Sequence, residues 1–283
     1  MIRVWNAETG NVEQELTGHT GPVGRVAWSP DGQRLASMSQ DNTVRLWEVD
    51  DPTSTTREQV VKPGNKPATT TRLRFVLKAT YDKFPQPLQW NPTHAGQTLA
   101  WTPDSRRLWV GMVGSDKPNV ISLDIETGTL SPPEFFSNGN QVLFLNPSPD
   151  GQRLLVREAI HWTFLRGADA QDRRLLGRYL GYTADWHPDS RRFLGWQPSY
   201  GTLGYDVATN RRLGFLLPFL TGDHWLCLAP TGHYRGSPGI EDLLVYVAQH
   251  EDGSQHTYTP SEFTAKFGWK NDPEKATLLN LSP

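Results

Sequence analysis

One turn sequence recurs along the chain and dictates its local architecture. It reads Trp28-Ser29-Pro30-Asp31-Gly32, then Trp101-Thr102-Pro103-Asp104-Ser105, then Pro147-Ser148-Pro149-Asp150-Gly151, then Trp186-His187-Pro188-Asp189-Ser190. Leu228-Ala229-Pro230-Thr231-Gly232 is a weaker copy. Proline fixes φ, and Asp-Gly or Asp-Ser tolerates the geometry of a tight turn. A short apolar run follows each copy, as in Arg34-Leu35-Ala36, Arg107-Leu108-Trp109-Val110, Arg153-Leu154-Leu155-Val156 and Arg192-Phe193-Leu194. Each unit therefore reads as strand, turn, strand.

The repeat has a period. Pro103, Pro149, Pro188 and Pro230 follow one another at about 40–45 residues, the length of a four-stranded propeller blade. The longer step from Pro30 to Pro103 holds either a degenerate blade or a blade plus an insertion. A second marker keeps the same phase: Trp5-Asn6-Ala7-Glu8-Thr9-Gly10, Trp47-Glu48-Val49-Asp50, Leu123-Asp124-Ile125-Glu126-Thr127-Gly128 and Tyr205-Asp206-Val207-Ala208-Thr209-Asn210. In each, a strand ends and a hairpin turn begins. The composition agrees: 22 Pro, 25 Gly and 11 Trp in 283 residues suit a turn-rich all-β chain better than a helix bundle.

Residues 17–50 resemble a WD40 repeat almost throughout. Gly18-His19, Val26-Ala27-Trp28-Ser29-Pro30-Asp31-Gly32, Leu35-Ala36-Ser37, Asp41 and Val44-Arg45-Leu46-Trp47 fall at that family's places. The resemblance implies an all-β, WD40-type β-propeller, complete or incomplete, of about five to seven blades. It also implies a buried hydrogen-bond chain of His19, Ser37, Asp41 and Trp47, with Ser39 as the alternative serine. A closed polar network of this kind rigidifies a blade. The family's partner-facing positions fall on Pro22, Gly24 and Gln40. Of these Gln40 has the most side-chain reach, and Pro22 and Gly24 are poor anchors. In later blades Leu123 and Tyr205 stand where Trp is expected, so apolar packing replaces the polar chain there.

Ile2–Trp5 reads as the third strand of a blade and Val12–Leu16 as the fourth. The first two strands are then supplied by the C-terminal part or belong to a longer chain, because an open strand edge is a liability. The organisation that follows is a WD40-like propeller over 1–258 and a helix and tail over 259–283. Within the first, 51–92 is a loop-rich insertion or degenerate blade, with strand candidates at Glu58–Lys62 and Leu73–Lys78. Its Thr-rich stretches, 52–56 and 66–71, could accept phosphate, but a solvated loop is the plainer reading. Leu243–Val247 reads as a buried strand. Thr259-Pro260-Ser261-Glu262 is a helix start, with Thr as N-cap, Pro at the first position and Glu at the third. Phe263 and Phe267 lie one turn apart, and Gly268 can end the helix. The segment from Trp225 to Pro273 resembles the end module of large bacterial WD40 proteins, which often carry a kinase or caspase-like domain upstream.

Catalytic constellations are hard to find. There is no Gly-x-Ser-x-Gly elbow, no His-Glu-x-x-His, no phosphate-cradling loop and no kinase catalytic loop. His224 and His233, with Glu241 or Asp223 nearby, could hold a metal, but loop histidines without ligand spacing are the plainer reading. Arg106-Arg107, Arg173-Arg174, Arg191-Arg192 and Arg211-Arg212 could ring an anion; as exposed turn residues they would keep edges soluble. Asn280-Leu281-Ser282 is a formal glycosylation sequon without a secretory context. The charge balance of −2 argues against a nucleic-acid surface. No apolar run reaches the roughly 20 residues of a membrane span. The lone Cys227 suits a reducing, cytoplasmic compartment.

The expected function is a non-catalytic scaffold for a protein partner, with no catalytic residue, metal or cofactor. The alternatives are a C-terminal targeting or regulatory part of a larger bacterial kinase- or caspase-like WD40 protein, and a propeller enzyme with a channel metal site.

Overall fold

The computed structural model describes residues 1–50, 74–85, 87–88, 98–112, 119–131, 134–135, 142–158, 162–166, 173–178, 183–197, 201–218, 224–249 and 253–276. The strand expected at Glu58–Lys62, both Thr-rich stretches, Asp223 and the sequon at 280–282 lie outside them. Contacts divide the chain into two units, Met1–Ile160 with Phe164–Arg174, and His161–Thr163 with Leu175–Pro283.

The first unit opens with a hairpin, Ile2–Trp5 paired antiparallel with Val12–Leu16. Sheet I follows as a four-stranded meander: Val23–Trp28, Arg34–Ser39, Val44–Val49 and Phe75–Tyr81. Sheet II is Leu99–Trp101, Arg107–Met112, Asn119–Asp124 and Glu134–Phe135. Sheet III is Val142–Pro147, Leu154–Glu158, Trp162–Arg166 and Arg173–Arg178, and its last two strands are divided between the two units. The fourth strand of sheet I lies inside the 51–92 stretch and begins two residues later than its sequence candidate. Asp50 N donates to Arg74 O at 2.7 Å, so the chain leaves and re-enters the sheet at one point. The long step between the first two turns is thus an excursion between the third and fourth strands of sheet I.

Strand alternation sorts side chains onto two faces. In sheet I, Ala36, Met38, Val44 and Leu46 pack with Leu99, Trp101, Leu108, Val110 and Ile121 of sheet II in one buried cluster. The opposite face carries Leu35, Trp47 and Phe75, which pack with Leu16, Ile2 and Val4 of the hairpin. Ala100 and Val120 of sheet II meet Val142, Leu145, Leu154 and Val156 of sheet III. Covered on both faces, Leu35–Ser39 is buried at every position.

The recurring turns share one hydrogen-bond pattern. Ser29 Oγ donates to Asp31 and accepts from Arg34 N at 2.9 Å. Thr102 does the same with Asp104 and Arg107, and Ser148 with Asp150 and Arg153. The residue after the Asp or Thr needs a positive φ: Gly32 71°, Ser105 58°, Gly151 69°, Ser190 56° and Gly232 84°. That is why glycine or a small polar residue occupies it.

The second unit holds a six-stranded sheet: Thr183–Trp186, Arg192–Gln197, Gly201–Asp206, Arg211–Pro218, Trp225–Leu228 and Tyr234–Gly236. The weak fifth turn therefore extends this sheet and does not open a new four-stranded unit. Gly214 permits the join. At φ 147° it brings its backbone so close to Leu228 that a Cβ would lie 2.4 Å from the Leu228 carbonyl oxygen.

The tail differs from expectation in one place. Ile240–Leu243 is a short 3₁₀ turn, and the strand is Tyr246–Gln249, which among the described residues pairs with Gln255–Tyr258 alone. Val245 and Val247 are exposed, because Tyr246 faces the packed side and nothing among the described residues covers the other. The helix is Pro260–Phe267, with the Thr259–Glu262 capping box, proline in the first turn and Gly268 as a left-handed C-cap. Phe263 stacks on Tyr246 at 4.5 Å and meets Trp269 edge-on; Phe267 packs against Tyr258.

Candidate functional site

The best-defined polar site lies at one end of sheet I. Gly18-His19 enters from the hairpin, Ser37 comes from the second strand, Asp41 from the following turn and Trp47 from the third strand. Trp47 Nε1 donates to Ser37 Oγ at 2.9 Å. Ser37 Oγ lies 2.8 Å from His19 Nε2, and His19 Nδ1 lies 2.9 Å from Asp41 Oδ2. One proton arrangement satisfies every atom: the indole donates to the hydroxyl, the hydroxyl to Nε2, and Nδ1–H to the carboxylate. That arrangement requires neutral His19. Burial, the largest influence, lowers the imidazole pKa, against the opposing pull of Asp41. For Asp41, burial is also the largest single influence and acts upward. It is outweighed by hydrogen bonds from Thr43, His19 and Thr20 N, which hold the carboxyl well below its usual range.

Ser39, the alternative serine, takes a different task. Its hydroxyl lies 3.0 Å from Gly21 O and 2.9 Å from Pro22 O. Thr43 was not singled out in the sequence, yet its hydroxyl donates to Asp41 at 2.7 Å and lies 3.1 Å from His19 Nδ1. The available signal was local: a Thr two residues after an Asp in a turn, where the carboxylate caps Thr43 N.

This network underlies a small exposed surface. Gln40 N donates to Pro22 O at 3.0 Å, so the two residues lie side by side, both exposed. Gly24 sits at an irregularity of the first strand, between Val23 and Arg25, and its carbonyl accepts from Arg25. The structure thus brings Pro22 and Gln40 together directly above the Asp41 turn, with Gly24 next along the strand.

Other candidates disperse. His224 Nδ1 is 2.9 Å from Ser237 Oγ, whereas His233 stacks on Trp269 and accepts from Asp272 N. Among the described residues no three His, Cys, Asp or Glu side chains converge on a metal-sized space. Arg191 pairs with Asp206 at 2.9 Å and Arg192 with Asp189 at 2.7 Å, so those arginines brace turns. A cleft of about 520 Å³ between sheets I and II is lined by Arg34, Glu48, Lys78, Tyr81, Glu126 and Thr127 among others. There Glu48 already pairs with Lys78 and Arg34. No helix among the described residues is long and apolar enough to cross a membrane.

Residues 10–48 match the family model "WD domain, G-beta repeat". That segment carries a WD40 repeat, and the antiparallel sheets with one short C-terminal helix are those of the all-β, β-propeller class that this repeat builds. It is 33% identical over 115 residues to a rice chromatin assembly factor 1 subunit FAS2 homolog, covering 36% of this chain and 20% of that protein. It is 50% identical over 48 residues to periodic tryptophan protein 2 of Arabidopsis thaliana, covering 17% and 5%. It is 45% identical over 49 residues to the apoptotic protease-activating factor 1 of Danio rerio, covering 17% and 4%. The chain thus spans a fifth or less of the length of these relatives.

Proposed function

We propose that the protein is a non-catalytic, cytoplasmic scaffold that binds a protein partner through the end of sheet I carrying Gln40, Pro22 and Gly24. The observation behind this reading is the hydrogen-bond chain of His19, Ser37, Asp41 and Trp47. It resembles a catalytic array only in composition. Each member is consumed by a structural bond, and His19 and Asp41 side chains are 2% and 7% exposed, so no substrate atom can reach them. The same chain braces the Pro22–Gln40 surface, and a rigid surface loses little conformational freedom on binding. The test is a photo-crosslinking residue at position 40, with position 33 at the other end of the sheet as control. A discrete adduct with another polypeptide from position 40 alone is expected; equal labelling from both positions would sink the assignment.

A second reading is that the chain acts as the C-terminal targeting or regulatory part of a larger bacterial WD40 protein. Its support is the resemblance of the segment from Trp225 to Pro273 to the end module of such proteins. The mass of the endogenous polypeptide decides it: a product near 31.9 kDa removes this reading.

A further inference from the structure

Arg3, Arg34, Arg107 and Arg153 of the first unit each lie against a carboxylate, that of Glu15, Glu48, Asp124 and Asp150 respectively. Arg45, on the third strand of sheet I, does not. The residue is half-buried, its guanidinium makes no hydrogen bond or ion pair among the described residues, and its Nε is closed off from solvent without an acceptor. Buried donors are normally paired, so an unpaired one on a charged group calls for an explanation.

The neighbours of Arg45 define a place for an anion. Gly18, two residues past the hairpin, supplies one wall: a Cβ there would run into Arg45 Nη1 and lie 3.1 Å from Cζ, so the guanidinium rests on that glycine's backbone. Thr80 lies opposite Arg45 across the third and fourth strands. Ala79 and Tyr81 turn toward sheet II, so alternation puts Thr80 on the Arg45 face. Thr80 is exposed, and its hydroxyl has no partner among the described residues. The chain's own acids on this side are already engaged. Glu13 accepts from Asn6 and Glu15 from Arg3. Asp41 is held by His19, Thr43 and Thr20 N. The charge of Arg45 therefore stays unbalanced, and it adds to burial in keeping the His19 imidazole neutral. The segment 18–22 joins this place to the Gln40 surface. A Cβ on Gly21 would lie 2.9 Å from Asp41 N, and Pro22 O accepts from Gln40 N.

We propose that Arg45 and Thr80 form a carboxylate-binding site, and that its occupant is an aspartate or glutamate side chain of the polypeptide that docks on Gln40 and Pro22. The occupant rests on the scaffold reading above; the site does not. One guanidinium and one hydroxyl balance a single negative charge, and charge-assisted hydrogen bonds are about twice as strong as neutral ones. A phosphate group carries nearly two charges, more than this pair of residues balances. The partner segment is accordingly acidic at the position that reaches Arg45 and neutral where it meets Gln40.

Acetate and inorganic phosphate are the probes, titrated separately into the full chain at low ionic strength. NMR follows the Gly18 amide, the Arg45 Nε–H and the His19 ring. Acetate should saturate with all three shifting together, and phosphate should bind no tighter. Bound acetate offsets the Arg45 charge, so the midpoint of the His19 titration should rise. In Arg45→Gln that midpoint should start higher and acetate should leave it unchanged. An unmoved Trp47 indole N–H signal reports that the variant keeps its hydrogen-bond chain. Thr80→Val should weaken acetate binding several-fold. Arg45→Gln should also cut the adduct yield from a photo-crosslinking residue at position 40 by about tenfold. Failure of acetate to saturate, or equal saturation in Arg45→Gln, overturns the site. Tighter binding of phosphate overturns the choice of a carboxylate. An undiminished adduct in Arg45→Gln overturns the occupant and leaves the scaffold reading standing. No adduct from position 40 in the wild type, beside normal acetate binding, removes the scaffold reading and supports the site alone.

Discussion

At the residue scale, Ser37 is the hinge of the polar chain, because it serves both Trp47 and His19. Ser37→Ala leaves a buried indole N–H and an imidazole nitrogen without partners, at about 1–3 kcal/mol for each stranded group. Chemical denaturation should report a lowered midpoint at unchanged slope. His19 also sets a pH dependence. Its folded-state pKa lies below the ordinary 6.5, so between the two values the unfolded chain binds more protons. Stability is full above the ordinary value and declines as pH falls through it. Asp41, held below its ordinary 3.8, adds a further loss only as pH falls beneath that value. Urea midpoints from pH 8 to pH 5 should fall in the wild type, and the His19 contribution should be absent in His19→Gln.

At the element scale, the terminal helix stands on its cap more than on its core, because none of its residues is buried. Thr259→Ala removes the hydroxyl that accepts from Glu262 N, leaves the Thr259 N–H to Glu262 carboxylate half of the capping box, and should destabilise the helix by about 1 kcal/mol. Faster amide exchange confined to the first turn would be the signature. The six-stranded sheet depends on Gly214, where a Cβ meets the Leu228 carbonyl. Gly214→Ala should separate Arg211–Pro218 from Trp225–Leu228 and cost about 1–3 kcal/mol from backbone strain alone. A loss of exchange protection on Trp225–Leu228, with Thr183–Trp186 unchanged, would locate the damage. These elements also mark how far sequence reasoning reached. The helix was legible to the residue, since capping chemistry lies within four positions. The strand after Ile240 was misplaced, since the apolar run Leu243–Val247 says nothing about which of its faces has a neighbour.

At the scale of the whole molecule, the first unit is a stack of sheets into which residues 51–73 are inserted. Because Asp50 and Arg74 meet through a backbone hydrogen bond, a short Gly-Ser linker can join them without moving either strand. Loop-closure entropy changes slowly with length, by about 0.6 kcal/mol per doubling. The shortened chain should therefore match or exceed the wild type by one or two kcal/mol in denaturation, with the His19–Asp41 network intact by NMR.

The amino-acid sequence alone determined whatever is closed within a few residues or within one repeat. It specified the Pro-Asp turns and the helix cap, while the grouping of His19, Ser37, Asp41 and Trp47 came from the resemblance of residues 17–50 to a WD40 repeat. The turns and the cap rest on local stereochemistry and on hydrogen bonds whose partners lie within a few residues. The tertiary structure decided everything that depends on one sheet lying against another. It made Trp101 a buried donor to Ala27 and left Trp28, in the same turn sequence, exposed. It assigned Ser37 and not Ser39 to the indole, ran Trp225–Leu228 onto the preceding sheet, and left Val245 and Val247 uncovered. The physical reason is that strand periodicity records which side chains share a face, while burial depends on the neighbour that face meets, and that neighbour is remote in the chain.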